Sequence, residues 1–482
     1  MLRETHCVDV LAIDQGTSVT KALVVSPEGQ IRAEAEVPVA LHTLSDGGVE
    51  QDPAEILASV LEAGRAALGK APEPVGAVAI ANQGEAVVGF DPATGRATTP
   101  LISWQDRRAA SIVDRLDDRA RQRIEEIAGL PADPYFTAPK LAWLAEQAPQ
   151  GSRVAGIDAW LNLQLLGRPI TDAATASRSG VLDLATRTWS EEAAGIWGLD
   201  PSGLTEVVDC AGSLGTTSAF GPDLPVTALV VDQQAALIGE DCLEPGEAKC
   251  TLGTGAFLLV TAGESPVHSR SGLSASVAWQ LPEHTTWCLD GQVYAAGSAL
   301  GWLERTGLLQ SPAALDETLR RADPKSNVRC VPAFQGLGAP HWAPTSAASF
   351  EGIHLGTGPD ELVAAVVEGI CAQIALLVDA AEADLGTRLR ILRIDGGLTR
   401  STLLCQLLSD LLGLPLEVFG SPHATAIGLA ALGRYGAGAD TTLRSGAPGP
   451  SRTYQPQMSR DEASSRLAAQ REAAARAIDA SA

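Results

Sequence analysis

Twice in this chain a short apolar run stops at a glycine turn and a second apolar run follows at once. The first case is Val8–Ile13, then Asp14-Gln15-Gly16-Thr17, then Lys21–Val25. The second is Ala248–Leu252, then Gly253-Thr254-Gly255, then Phe257–Thr261. Apolar runs bounded by glycine read as strands joined by tight turns. Each of these openings leads a half-chain in which strand and helix patterns alternate. After the first come the turn Pro27-Glu28-Gly29 and the alternating stretch Ile31–Val37. Asp52 and Pro53 then read as N-cap and first residue of a helix, with Glu55 at its third position. Leu57, Val60, Leu61, Gly64 and Leu68 follow helical spacing, and Val75–Ile80 is a fully apolar strand. After the second opening, Glu361–Leu385 reads as a long helix and Leu389–Ile394 as a strand ending at Asp395-Gly396-Gly397. Ser401–Leu412, Ala424–Tyr435 and Arg460–Ile478 read as further helices. The expected fold is α/β with an internal duplication. A chain of 482 residues also exceeds what one core usually serves. The expected domains are 1–241 and 242–482, divided where Pro245-Gly246 punctuates the chain.

Composition narrows the partners. A formal net charge of −23 argues against nucleic acid and anionic membrane as ligands. A nucleotide enzyme can be this acidic, because backbone N–H groups and a bound Mg²⁺ supply positive field locally. No apolar run reaches membrane-spanning length, and MLRETHCVDVLAIDQG leads straight into a strand with no signal-peptide pattern. The expectation is a soluble, cytoplasmic protein, with a homo-oligomer left open. The eight cysteines, at 7, 210, 242, 250, 288, 330, 371 and 405, form no CxxC pair. They read as buried free thiols in a reducing compartment.

Several segments carry chemistry. GRAALGK at 64–70 imitates a P-loop, but it lies inside a helical pattern and has Ala71 where a metal-binding hydroxyl is needed. Asp14-Gln15-Gly16-Thr17-Ser18 offers backbone donors to phosphate and a carboxylate to a hydrated metal, and Gly253-Thr254-Gly255 offers a second set of donors. Either turn could be only a hairpin turn. Asp232 ends the apolar strand Val226–Val231. It can act as a base toward a substrate hydroxyl or cap the helix that follows at Gln233–Gly239. Asn82-Gln83-Gly84-Glu85 and Trp104-Gln105-Asp106 place amides, acids and an indole at strand ends, a set that suits a polyol. His341, beside Trp342, has no acid or thiol close in sequence and reads as structural.

Assembled in order, these segments resemble the FGGY carbohydrate kinase family, most of all its glycerol kinase branch. Two signatures are legible: YFTAPKLAWLAEQ at 135–147, with Lys140 and Trp143, and ASFEGIHLGTGPDELVAAVVEG at 348–369. IDQGT, WQDRR, DPYF, VDQQAAL, LGTGAF, VPAFQGLGAPHW and DGG occur in family order between residues 12 and 397. The resemblance implies a two-domain actin/hexokinase-like ATPase fold, built from ribonuclease H-like halves around a deep cleft. It implies ATP and Mg²⁺ as cofactors and a small polyol or sugar as substrate. By position, Thr17, Ser18, Lys21, Thr254, Gly297, Gly397 and Ser401 would contact the nucleotide. Asp14 and Asp232 would lie near the metal. Gly84, Glu85, Trp104, Tyr135, Asp232, Gln233 and Phe257 would line the substrate pocket, with Asp232 the catalytic base.

Three positions depart from the glycerol kinase pattern. Gly84 stands where that branch has Arg, in NQRE. Val231 stands where it has Gly before Asp-Gln-Gln, and Gly301 where an adenine-side Gln is common. Losing a guanidinium beside the substrate removes up to five donors, so the alternatives are a xylulokinase-like enzyme or a tetritol kinase. A non-catalytic sugar sensor on the same fold is a remoter alternative, since the base and both phosphate turns are retained.

Overall fold

The computed structural model describes residues 8–481. Cys7 lies outside the described residues; the other seven cysteines are buried and unpaired with one another. The first glycine hairpin joins strands Asp9–Gln15 and Val19–Val25, and the second joins Ala248–Leu252 and Ala256–Gly263. Each hairpin sits at the centre of its own sheet.

The first sheet has six strands, in the order Ala211–Thr217, Leu224–Val231, Val75–Asn82, Asp9–Gln15, Val19–Val25, Ile31–Pro38. The second has seven, in the order Ser274–Gln280, Thr285–Val293, Ala256–Gly263, Ala248–Leu252, Leu392–Asp395, Leu416–Val418, Arg452–Tyr454. Taken from Ile31–Pro38 in the first sheet and from Ser274–Gln280 in the second, antiparallel strands lead into three mutually parallel ones, and an antiparallel strand closes the far edge. This repeated order is the duplicated actin/hexokinase-like fold. The central strands are apolar on both sides because helices cover both faces. Val10, Leu11, Ala12 and Ile13 are all wholly buried.

Helix Pro53–Lys70 starts as its sequence predicts, with the Asp52 carboxylate accepting the Ala54 N–H at 2.8 Å. The imitation P-loop is the last part of this helix. A Cβ at Gly64 would come within 2.5 Å of the Phe220 ring, so that glycine lets the helix pack against the turn that carries Phe220.

Helix Pro359–Leu385 corrects one expectation. It has 27 residues and is long and apolar enough to cross a membrane. Most of it is buried as a core helix, which explains the unbroken apolarity: a helix packed on all sides needs no polar face.

The two halves share one continuous core. Helix Ala424–Gly436, from the second half, lies against helix Asp232–Gly239 and the strands of the first sheet. The approach is backbone to backbone. A Cβ at Gly428 would sit 1.9 Å from the Ala235 carbonyl oxygen, and one at Gly239 would sit 1.9 Å from that of Ala424.

Candidate active site

Strands Asp9–Gln15, Val75–Asn82 and Leu224–Val231 run parallel side by side, so their C-terminal ends meet at one edge. Asp14 lies opposite Ala81, and Gln15 and Val231 both lie opposite Asn82. The residues just beyond, Gln83 to Glu85 and Asp232, therefore converge. In open α/β sheets such an edge is where ligands sit.

Asp232 does not cap the helix from outside, as one reading of its sequence has it; it is the first helical residue, behind Val231 as N-cap. It opens helix Asp232–Gly239, its Oδ1 accepting the Gln233 N–H at 2.7 Å, and it lines a cavity at the base of the cleft. Desolvation there, then the negative charges of Asp14 and Glu85, push its carboxyl up to about 7, against the pull of Lys249. Asp14 is pushed up to about 6, again mainly by desolvation, with Lys21 opposing. A carboxylate that titrates near neutrality is matched to accepting a hydroxyl proton.

The cavity, of about 200 Å³, is lined by Gly84, Glu85, Trp104, Tyr135, Asp232, Gln233 and Phe257, brought together from both halves. Trp104 meets Tyr135 and Phe257 edge to face, with ring centroids 5.9 and 6.1 Å apart. Its indole N–H donates to the Thr17 hydroxyl at 3.0 Å, and that hydroxyl donates to Gln83 Oε1 at 3.2 Å. Gln233 Oε1 accepts from Lys249 Nζ at 2.6 Å. Glu85 is held at φ +54°, a left-handed conformation that a non-glycine residue adopts only under constraint.

Two residues of this cavity escaped the sequence reading. Arg178, at the end of helix Ala173–Ser177, donates from Nε to Glu85 Oε1 at 2.6 Å and from Nη1 to Asp290 Oδ2. Asp290 comes from the middle of strand Thr285–Val293 in the second sheet. No motif marks either residue, because their meeting depends on how the two halves pack. Lys140, seen only as a signature residue, is wholly buried and donates to the carbonyls of Pro134, Tyr135 and Phe136. It thus fixes the segment that presents Tyr135. His341 stays peripheral to this cavity, and burial lowers its pKa.

The expected phosphate side is built from backbone. The Gly16 N–H bonds the Val19 carbonyl at 3.1 Å; Ser18 is exposed, and Lys21 faces Asp14 across the hairpin. In the second sheet the Thr254 carbonyl accepts from Ala296 and Ser298, and the Gly253 carbonyl accepts from Gly297, each at 3.0 Å. A Cβ at Gly297 would lie 2.5 Å from the Gly253 oxygen, and one at Gly396 (φ +92°) would lie 2.5 Å from that of Leu252. Thr254, Gly297 and Gly396 therefore belong to one close-packed backbone floor, whereas a Cβ at the neighbouring Gly397 would meet nothing within 4 Å. Ser401 is placed differently. Its hydroxyl caps helix Thr402–Leu412, accepting from Leu404 at 3.1 Å, and donates to Asp316.

Among the described residues, no three His, Cys, Asp or Glu side chains gather into a metal cage. Asp14 and Asp232 are near enough for the charge of Asp14 to raise the Asp232 pKa, so two carboxylates stand together there. Mg²⁺ commonly takes one or two carboxylates together with water and substrate phosphate oxygens.

The FGGY family of carbohydrate kinases matches in two parts: its N-terminal domain over residues 10–239 and its C-terminal domain over 248–437. A glycerol kinase of Thermus brockianus is 39% identical over 446 residues, covering 89% of this chain and 90% of that one. A glycerol kinase of Plasmodium falciparum, solved with ADP, superposes with a TM-score of 0.90 at 28% identity, over 98% of both chains. A gluconate kinase of Lactobacillus acidophilus shares the fold, with a TM-score of 0.87 at 22% identity, over 98% of this chain and 99% of that one.

Proposed function

This chain belongs to the FGGY family of carbohydrate kinases, and we propose on that premise that it phosphorylates a terminal hydroxyl of a small neutral polyol. ATP-dependent phosphorylation of a polyol or sugar follows from the family and from its glycerol kinase relatives. The finer assignments are ours. The observation that carries them is the meeting, at one sheet edge, of Asp232 with an aromatic and acidic pocket.

In the reading we favour, the acceptor oxygen attacks the γ-phosphorus of ATP. The new O–P bond forms as the bond to the bridging oxygen breaks, ADP leaves, and Asp232 takes the hydroxyl proton. General-base assistance of this kind contributes roughly 10²–10⁴ in rate. The remainder is positioning and charge stabilisation. Trp104, Tyr135 and Phe257 wall the acceptor, and Glu85 and Gln233 hold its hydroxyls. Thr17, Ser18 and Lys21 on one side, with Thr254, Gly297 and Gly397 on the other, clamp the nucleotide. Mg²⁺ held by Asp14 and Asp232 would neutralise phosphate charge. Residues 1–241 then carry most of the acceptor site, and 242–482 most of the nucleotide site.

The pocket chemistry favours a neutral acceptor. Glu85, Asp232 and Asp290 set three carboxylates against the one guanidinium of Arg178, which disfavours sugar acids. The acidic chain works as a cytoplasmic metabolic enzyme in this reading. The test is coupled ADP release with glycerol and other neutral polyols against gluconate. Release driven by polyols supports the reading; release driven by gluconate alone, or by nothing, overturns it.

A further inference from the structure

Lys249 is out of character with its place. It stands in the central strand Ala248–Leu252 of the second sheet and is wholly buried, where a lysine is rare unless its ammonium is paired. Two partners take that ammonium. Nζ donates to Gln233 Oε1 at 2.6 Å and to the Thr251 hydroxyl at 2.9 Å. Gln233 belongs to helix Asp232–Gly239, which follows strand Leu224–Val231 of the first sheet, so the first bond crosses between the halves. Gln233 lines the acceptor cavity, and Lys249 stands behind it.

An ammonium has donors only. The end of the Gln233 amide that meets it at 2.6 Å must therefore be the oxygen. A flipped amide would set donor against donor and leave a buried charge short of a partner. The NH₂ stays at the other end. Among the described residues the Gln233 side chain makes its hydrogen bond through Oε1, and the NH₂ is not taken up. It is also the kind of group that this corner of the cavity lacks. Asp232, Glu85 and Asp290 bring carboxylates there, and the Trp104 N–H is already given to Thr17. A hydroxyl that gives its proton to a carboxylate still has lone pairs, and these want a donor.

We propose that Lys249 is a positioning residue, which locks the Gln233 amide with its NH₂ toward the cavity to donate to an acceptor oxygen beside Asp232. This rests on the polyol kinase reading above and adds to it the residue that fixes a donor of the acceptor site.

Coupled ADP release with glycerol, erythritol and xylitol tests both. No release with any of them by the native chain overturns the kinase reading and this proposal with it. On the polyol that the native chain uses best, Gln233→Ala and Lys249→Met should each raise the acceptor KM about tenfold or more, with the ATP KM within about twofold of native. The double variant should match Gln233→Ala within about twofold, because Lys249 acts through the amide. Losses that multiply, or an acceptor KM within about twofold of native in Lys249→Met, overturn the proposal and leave the kinase reading standing. Should Lys249→Met fail to fold, Gln233→Glu decides. It keeps an oxygen for Lys249 and puts a second oxygen in place of the NH₂. Its melting temperature should hold while the acceptor KM rises about tenfold or more. An unchanged acceptor KM in Gln233→Glu would mean that the NH₂ does not face the acceptor, and overturns the proposal by itself.

Discussion

The Trp104 indole N–H donates to the Thr17 hydroxyl at 3.0 Å, tying the aromatic wall of the cavity to the first glycine turn. In the proposed reading, this one hydrogen bond joins the surfaces that hold the two substrates in line. Thr17→Val keeps the shape and removes the acceptor, leaving a half-buried N–H unpaired at a cost of about 1 kcal/mol or more. The expected result is a loss of roughly ten- to hundredfold in kcat/KM for the acceptor. Steady-state kinetics with either substrate varied will show it, and an unchanged kcat/KM would mean that the contact does no positioning.

Asp232→Asn should cut turnover by about 10²–10⁴ or more while ATP still binds. Near-normal turnover would remove Asp232 from the mechanism. The same variant should be more stable than the native chain at pH 8. Asp232 has its folded pKa raised from 3.8 to about 7, so the fold favours its protonated form. That contribution is fully present below about pH 3.8 and is lost as pH rises through 7. Thermal melts at pH 8 and pH 4 should show the variant's advantage shrinking at the lower pH.

The acid limb of kcat/KM should fall below about pH 7, with an apparent pKa that belongs to Asp14 and Asp232 together. Glu85 raises the Asp232 pKa through its negative charge. Glu85→Gln should therefore move the limb to lower pH, whatever it does to the absolute rate. A limb that stays put or rises would refute this electrostatic account.

Lys140→Met should strip three buried carbonyls of their donor. At roughly 1 kcal/mol or more per bond, the loss should be about 3 kcal/mol of stability. Because those carbonyls flank Tyr135, the acceptor KM should rise while the ATP KM holds. Urea unfolding and kinetics on the folded variant separate the two effects.

Gly428→Ala should drive a methyl group into the Ala235 carbonyl at the crossing of helices Ala424–Gly436 and Asp232–Gly239. Overpacking against backbone costs about 3 kcal/mol. A substantially lower melting temperature is expected. A native-like melt would mean that the helices can separate there without penalty.

The sequence by itself determined a good deal of this protein. Glycine turns, apolar runs and the Asp52-Pro53 start were legible because strands, turns and caps depend on residues next to one another. The strand expected at Leu389–Ile394 was off only in its bounds, Leu392–Asp395, since the Leu389 N–H is held instead by Glu382 at 2.9 Å. Gly84 and Val231 were also legible as departures, but they lie 147 positions apart in the chain. Only parallel pairing of Val75–Asn82 with Leu224–Val231 brings them into contact. Arg178 and Asp290 carried no signal at all, because an ion pair across a cleft has no spacing rule. Ser401 matched by position, yet the fold gives its hydroxyl to a helix cap and Asp316. Local geometry is written in neighbouring residues, whereas the partners of a buried charge are chosen when sheets and helices pack, and that choice was the tertiary structure's alone.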